Sequence, residues 1–262
     1  MVELDGNGFP SVYLVLVAVA GTAGFISSIA GAGGMITLPA LLWAGIPPLD
    51  ALGTNKFQSV FGTLSSAVNY FRSGHLDLRP LWPGLLAAVC GAALGTWVVT
   101  QIGGEQLQTL LPLLLIAVAL YFVFSPRITD ADTQPRISNR RFNLLVGGGV
   151  GFYGGFFGPG MGSFCALAFV ALLGYNMRRA TAHTKPLVLA TNLTSMVIFI
   201  AGGHILLWLA ISMSLAQAIG ARLGSNLVIV QGARLVRPVI ILATIAVAIK
   251  LLTDAWGQHL WP

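Results

Sequence analysis

A shift of 129 residues lays the chain on itself without a gap. Lys56 then falls on Lys185, Ser66 on Ser195, Gly74-His75 on Gly203-His204, and Gly91-Ala92-x-Leu94-Gly95 on Gly220-Ala221-x-Leu223-Gly224. Gly31 with Gly160, Gly33 with Gly162, Gly45 with Gly174 and Ala51 with Ala180 keep the same offset, so the duplication covers most of each half. Whatever the fold is, it must be built twice.

The solvent for that fold follows from composition. Of 262 residues, 56% are hydrophobic and 8% charged, against roughly 25% charged in soluble domains. Apolar runs close to the ~20 residues that cross a bilayer recur throughout, so the chain reads as a polytopic membrane protein. A net charge of +6 does not point to nucleic acid, because the Lys and Arg residues stand singly or in pairs between apolar runs. Cys90 and Cys165 are unrelated by the repeat, form no ligand spacing and read as packing residues. Residues 1–10 carry Glu3 and Asp5 but no basic residue, unlike a secretory signal, so the first apolar run is expected to be kept as a span.

Apolar segments are expected at 12–30, 35–44, 57–71, 81–100 and 107–124, and again at 142–157, 161–173, 187–201, 206–230 and 236–252. Between the sets lies a hydrophilic stretch, 125–141, with Arg127, Arg136, Arg140 and Arg141. The predicted organisation is a first repeat at 1–124, a cytoplasmic linker at 125–141 and a second repeat at 142–262. The fold class is all-α, with about four to five helical segments in each repeat.

Equivalent loops carry opposite charge. Residues 46–52 hold no Lys or Arg, whereas 175–181 hold Arg178 and Arg179; Arg72 and Arg79 flank the first Gly-His loop, and the second has neither. Residues 101–106 hold no positive charge, whereas 231–237 hold Arg234 and Arg237. Positive loops favour the cytoplasm, so the repeats are expected to be inverted, each with an odd number of crossings and with both termini extracytoplasmic. Segments 35–44 and 161–173 are too short to span alone. Flanked by Gly and Pro, they read as discontinuous or re-entrant helices, which are tolerated where protein or a water-filled cavity surrounds them.

All eight carboxylates fall in loops, termini or span edges, whereas Lys56, Lys185 and Arg222 fall within or just inside apolar segments. Buried charge is costly and is usually retained for function, so an electropositive interior suited to an anion is expected. Inverted symmetry would bring Lys56 and Lys185 together around a small oxyanion, with Thr54, Asn55, Thr184 and Asn192 donating hydrogen bonds. The glycine clusters, with Gly33, Gly34, Gly160 and Gly162, would present backbone N–H groups at half-helix N-termini, which attract anions. The alternative is that both lysines snorkel to the interface and the glycines permit close packing. Arg222, whose equivalent is Ala93, either pairs locally or lines the path from one side. His183, His75 and His204 are candidate proton relays, with interfacial capping as the alternative for the last two.

Gly149-Val-Gly151-Phe-Tyr-Gly154 fits a dinucleotide fingerprint, but no strand precedes it; it reads as helix packing. No phosphate-binding loop of the GxxxxGK[ST] type occurs, and no metal-ligand cluster or cofactor motif is present.

Gly31-Ala-Gly33-Gly34, Pro39, Ala51-Leu-Gly-Thr-Asn-Lys56, Arg72-Ser-Gly74, Gly158-Pro-Gly160-Met-Gly162 and Thr184-Lys185 together resemble the TauE/SafE family of bacterial sulfite and organosulfonate exporters. The resemblance spans nearly the whole chain; Met161 stands where such families often show consecutive glycines. It implies export or exchange of small sulfur-containing anions across the bacterial inner membrane. The expected function is a secondary transporter of such an anion by alternating access, coupled to protons or sodium. An anion channel and a non-transporting membrane subunit are the alternatives. An enzyme is disfavoured, because no mid-span carboxylate pair or Ser/His/Asp arrangement is placed by the repeat. Oligomeric state leaves no mark in the sequence.

Overall fold

The computed structural model describes residues 9–124 and 132–231. The expected segment 236–252, Arg127, Arg234 and Arg237 lie outside them. Among the described residues the structure is helical, without strands.

In the first half, α1 spans Phe9–Ala30, α2 Gly34–Trp43, α3 Pro48–Arg72, α4 Trp82–Thr100 and α5 Gly104–Phe124. In the second half a continuous rod runs from α6, Asn139–Phe142, through one π turn, Asn143–Gly147, into α7, Gly148–Phe156. It is followed by α8, Met161–Leu173, α9, Met177–Ala201, and α10, Leu207–Gln231. The boundaries of α3 and α9 differ by 129 at both ends, and the left-handed glycines that punctuate the chain repeat at the same interval. Gly31 and Gly160, at φ 75° and 78°, precede the short helices; Gly45 and Gly174, at 76° and 68°, end them. Gly74 and Gly203, both at 74°, turn the chain after α3 and α9. A side chain would strain each of these turns.

Five of the helices, α1, α4, α5, α9 and α10, are long and apolar enough to cross a membrane. Leu94, Trp97, Val197, Leu215 and Ile219 point outward from them, as a lipid-facing surface requires. α3 matches α9 in length but is more polar, and hydropathy marks only its part at 57–71 as apolar. The helix instead starts at Pro48, with proline in the first turn where no intrahelical N–H is needed. Likewise α9 starts at Met177, capped by Asn176 Oδ1, which accepts from Arg179 N. Both lysine-bearing elements are therefore helical and interior rather than loops ahead of a span.

Helix contacts exchange with the repeats. α3 packs on α9; α1 packs on α10, and α7 on α4; α10 also lies on α3, and α4 on α9. Glycines make the paired approaches possible: a Cβ on Gly151 or Gly155 would overlap Ala88 or Ala92 of α4. The GxGxxG-like run is thus part of a packing face. Cys165 is buried, as expected of a packing residue, whereas Cys90 is exposed on α4. Arg222 is exposed on α10 and does not enter the interior.

Candidate functional site

α1 and α7 each stop at a glycine break, and the two breaks meet. A Cβ on Gly162 would lie 2.6 Å from the Gly31 Cα, and one on Gly34 would lie 3.3 Å from the Pro159 Cα. Ser163 Oγ donates to the Ala30 carbonyl across the same contact. Beside it run α3 and α9, each carrying its lysine as the ninth residue.

Both lysines reach into the opposite repeat. Lys185 Nζ donates to the Ser27 carbonyl at 2.8 Å, and Lys56 Nζ donates to the Gly154 carbonyl. Ser27 and Gly154 sit in the last turns of α1 and α7, where the helix end is partly negative; the Ser27 carbonyl also accepts from Gly31 N at 2.8 Å, so it takes two donors. The two lysines are 1% and 3% exposed, and no carboxylate meets either one among the described residues. Their charge is met by backbone dipoles. Snorkelling to an interface is not what these two side chains do.

A small cavity of ≈ 30 Å³ opens between the breaks and the two long helices. This holds about two waters. α3 contributes Asn55, Lys56, Ser59 and Thr63, and α9 contributes Val188 and Asn192. Ser59 with Val188 and Thr63 with Asn192 are repeat equivalents, so the cavity lies where the two halves match. The breaks contribute Ser27, Gly31, Gly34, Gly158, Met161 and Gly162. Asn55 Oδ1 is taken by Thr37 Oγ1 at 2.5 Å and Gln58 Nε2 at 3.1 Å, which leaves its amide nitrogen to face the cavity. Gly34 and Gly162 lie in the first turns of α2 and α8, where backbone N–H groups lack helical acceptors. Ammonium, amide and backbone donors therefore converge on one polar volume, a set suited to oxygens that carry negative charge.

The structure sorts the residues singled out in the sequence. Lys56, Asn55, Asn192, Gly34 and Gly162 line the cavity; Lys185 touches its wall through Ser27. Thr54, Thr184, Gly33 and Gly160 do not line it. Thr54 Oγ1 accepts from Leu206 N at 3.1 Å, Thr184 Oγ1 donates to Thr181 O at 2.8 Å, and Gly33 and Gly160 are the caps of α2 and α8. None of the three histidines reaches it either. His204 Nδ1 meets Asp50 at 3.0 Å, His75 Nδ1 meets Ser73 O at 2.9 Å, and His183 Nδ1 donates to Arg179 O at 2.8 Å. Ser27, Ser59 and Thr63 escaped sequence reasoning. For the last two a signal existed: they follow Asn55 at four and eight residues, on one helical face. The described residues hold no group of His, Cys, Asp and Glu that could bind a metal.

Residues 16–251 match the family model described as sulfite exporter TauE/SafE. A "Probable membrane transporter protein ORF9" of Sinorhizobium sp is 45% identical over 91% of this chain and 92% of its own. A "Probable membrane transporter protein" of Haemophilus influenzae is 41% identical over 94% of this chain and 96% of its own. "Probable membrane transporter protein YfcA" of Escherichia coli is 41% identical over 94% and 91%. No solved structure matches the chain significantly. With the match running through both glycine breaks and both lysine helices, this chain belongs to the sulfite exporter TauE/SafE family of membrane transporters.

Proposed function

We propose that the chain is a secondary transporter, an exporter of small sulfur-containing oxyanions such as sulfite or organosulfonates, working by alternating access around the cavity between the glycine breaks. The observation that carries this is the donor set of Lys56, Asn55, Asn192 and the first-turn N–H groups, gathered with no carboxylate among the described lining residues. The family model's description supplies the substrate class. At ≈ 30 Å³ the cavity is smaller than such an anion needs, so the helices must part to admit it. That favours a carrier over a standing pore.

An inverted arrangement of the repeats would serve the alternation. The exchanged helix contacts, the elements that recur at 129 residues and the opposite charge of equivalent loops fit two halves related by an axis in the membrane plane. The arginine-rich linker would lie in the cytoplasm, with both termini outside the inner membrane. Sulfite flux into proteoliposomes tests the reading. Saturation and counter-exchange are expected, with loss of flux in Lys56→Gln. Non-saturating flux would mean a pore, and parental flux in Lys56→Gln together with Lys185→Gln would remove the anion site.

A further inference from the structure

A second polar pocket, of ≈ 440 Å³, lies at the start of α9. Its walls include Asn176, Arg178, Arg179 and His183 from the second repeat and His75 and Asp77 from the loop after α3. The volume is that of an ordinary small-ligand pocket.

Its charges are uncommitted. Among the described residues neither Arg178 nor Arg179 has a carboxylate partner, although the Arg179 guanidinium lies 3.9 Å from the centre of the Tyr175 ring. Asp77, in the wall itself, and Asp132 beside it are bound by backbone N–H groups and pair with neither arginine, so the lining carries two cations to one carboxylate. Asp77 Oδ1 accepts from Arg79 N at 3.0 Å, and Asp132 accepts from Asn176 N at 2.8 Å. His183 is 2% exposed, its ring edge-on to Phe169 and Tyr175, and its Nδ1 is used on the Arg179 carbonyl. That leaves Nε2 buried with no partner. The ring therefore belongs to the wall behind the arginines, and the pocket's free donors are the two guanidinium groups.

The repeat-equivalent corner is closed. There Asp50 stands in place of Arg179 and pairs with His204 at 3.0 Å, while Thr54, in place of His183, accepts from Leu206 N at 3.1 Å. The 203–206 loop is drawn onto α3. The 74–77 loop has no such hold, since His75 would face Arg179 rather than a carboxylate. One charge reversal between equivalent positions thus latches one mouth and leaves the other open and positive.

We propose that this pocket is a second oxyanion site, a loading vestibule through which the anion enters from the arginine side. Arg178 and Arg179 bind the oxygens, and the buried His183 ring backs them through its bond to the Arg179 carbonyl. His183 and Val188 are five residues apart on α9, about 7.5 Å along its axis, so the vestibule stands one to two turns from the central cavity. The asymmetry predicts easier capture of the anion from the arginine side than from the side of the 203–206 loop. The inference rests on the transporter reading above, but its binding test does not need transport.

Equilibrium binding of radiolabelled inorganic sulfite to the purified full-length chain separates the two sites. With the central site disabled by Lys56→Gln and Lys185→Gln, saturable binding is expected to remain. Adding Arg178→Gln and Arg179→Gln should weaken it about tenfold or more, and Arg178→Lys with Arg179→Lys should restore most of it. In proteoliposomes, Arg178→Gln with Arg179→Gln should raise the sulfite KM on the arginine side about tenfold and leave the KM on the opposite side within twofold. Absence of binding in the lysine double variant, or equal KM changes on both sides, overturns the vestibule while leaving the central site standing. Binding that persists in a lysine double variant with parental flux would instead remove the central site alone.

Discussion

The Lys185 ammonium and the Ser27 carbonyl meet at 2.8 Å across the two repeats, and Lys56 makes the reciprocal contact with Gly154. Each cation therefore holds the end of a helix in the other half, beside the break where that helix stops. An anion bound in the cavity as proposed would thereby be coupled to the packing of the halves. An anion that competes for Lys56 weakens its bond to Gly154, and with it one tie between the repeats.

Lys56→Gln is expected to lower sulfite flux at least tenfold, because it removes the one cation that lines the cavity among the described residues. Lys185→Gln should lower it less, about three- to tenfold, since its head group contacts the wall rather than the interior. Initial rates in proteoliposomes rank the two. Equal loss in both would mean that the lysines act as a pair.

Gly31→Ala should destabilise more than Gly45→Ala. Both positions have positive φ, but a Cβ on Gly31 would lie 2.6 Å from the Gly162 Cα, whereas nothing lies within 4 Å of one on Gly45. The backbone strain alone is about 1–2 kcal/mol, and overlap at the crossing of the breaks adds to it. Thermal unfolding in detergent, followed by size-exclusion chromatography, checks the order.

Asp50→Asn should loosen the 203–206 loop. The pair is partly exposed, at 28% and 33% of side-chain surface, so its worth is of the order of 0.2–1 kcal/mol and a two- to fivefold rise in opening is expected. The rate of maleimide modification at Leu206→Cys measures it. An unchanged rate would show that Leu206 N on Thr54 Oγ1 holds the loop by itself.

In a background of Cys90→Ala, cysteines at Gly104 and Leu206 should react from one face of the membrane and those at Leu78 and Gln134 from the other. Impermeant maleimide applied to intact cells and to inverted vesicles reads this directly. Labelling of all four from one face would rule out inverted repeats.

Hydropathy and periodicity are local properties of a chain, so spans, short helices and glycine turns are legible in the residues themselves. The boundaries of α8 match the sequence reading residue for residue, and those of α1, α2, α4, α5 and α10 fall within a few residues of it. The starts of α3 and α9 are not legible in this way. Their first turns are polar, and they remain helical because other elements meet their side chains, as Leu206 N meets Thr54 and Gly154 O meets Lys56.

The 129-residue duplication determined by itself that Lys56 and Lys185 occupy equivalent places in a bilayer-dissolved fold. What each lysine faces was decided by tertiary structure alone. The partners are carbonyls at the ends of α1 and α7, and backbone carbonyls have no signature in a sequence; they become acceptors only where a helix stops against a neighbour. The same holds for the division of labour between the halves. Asp50 and Arg179 are equivalent by position, but only the docking of the 203–206 loop on α3 shows that one closes a mouth and the other lines an open one.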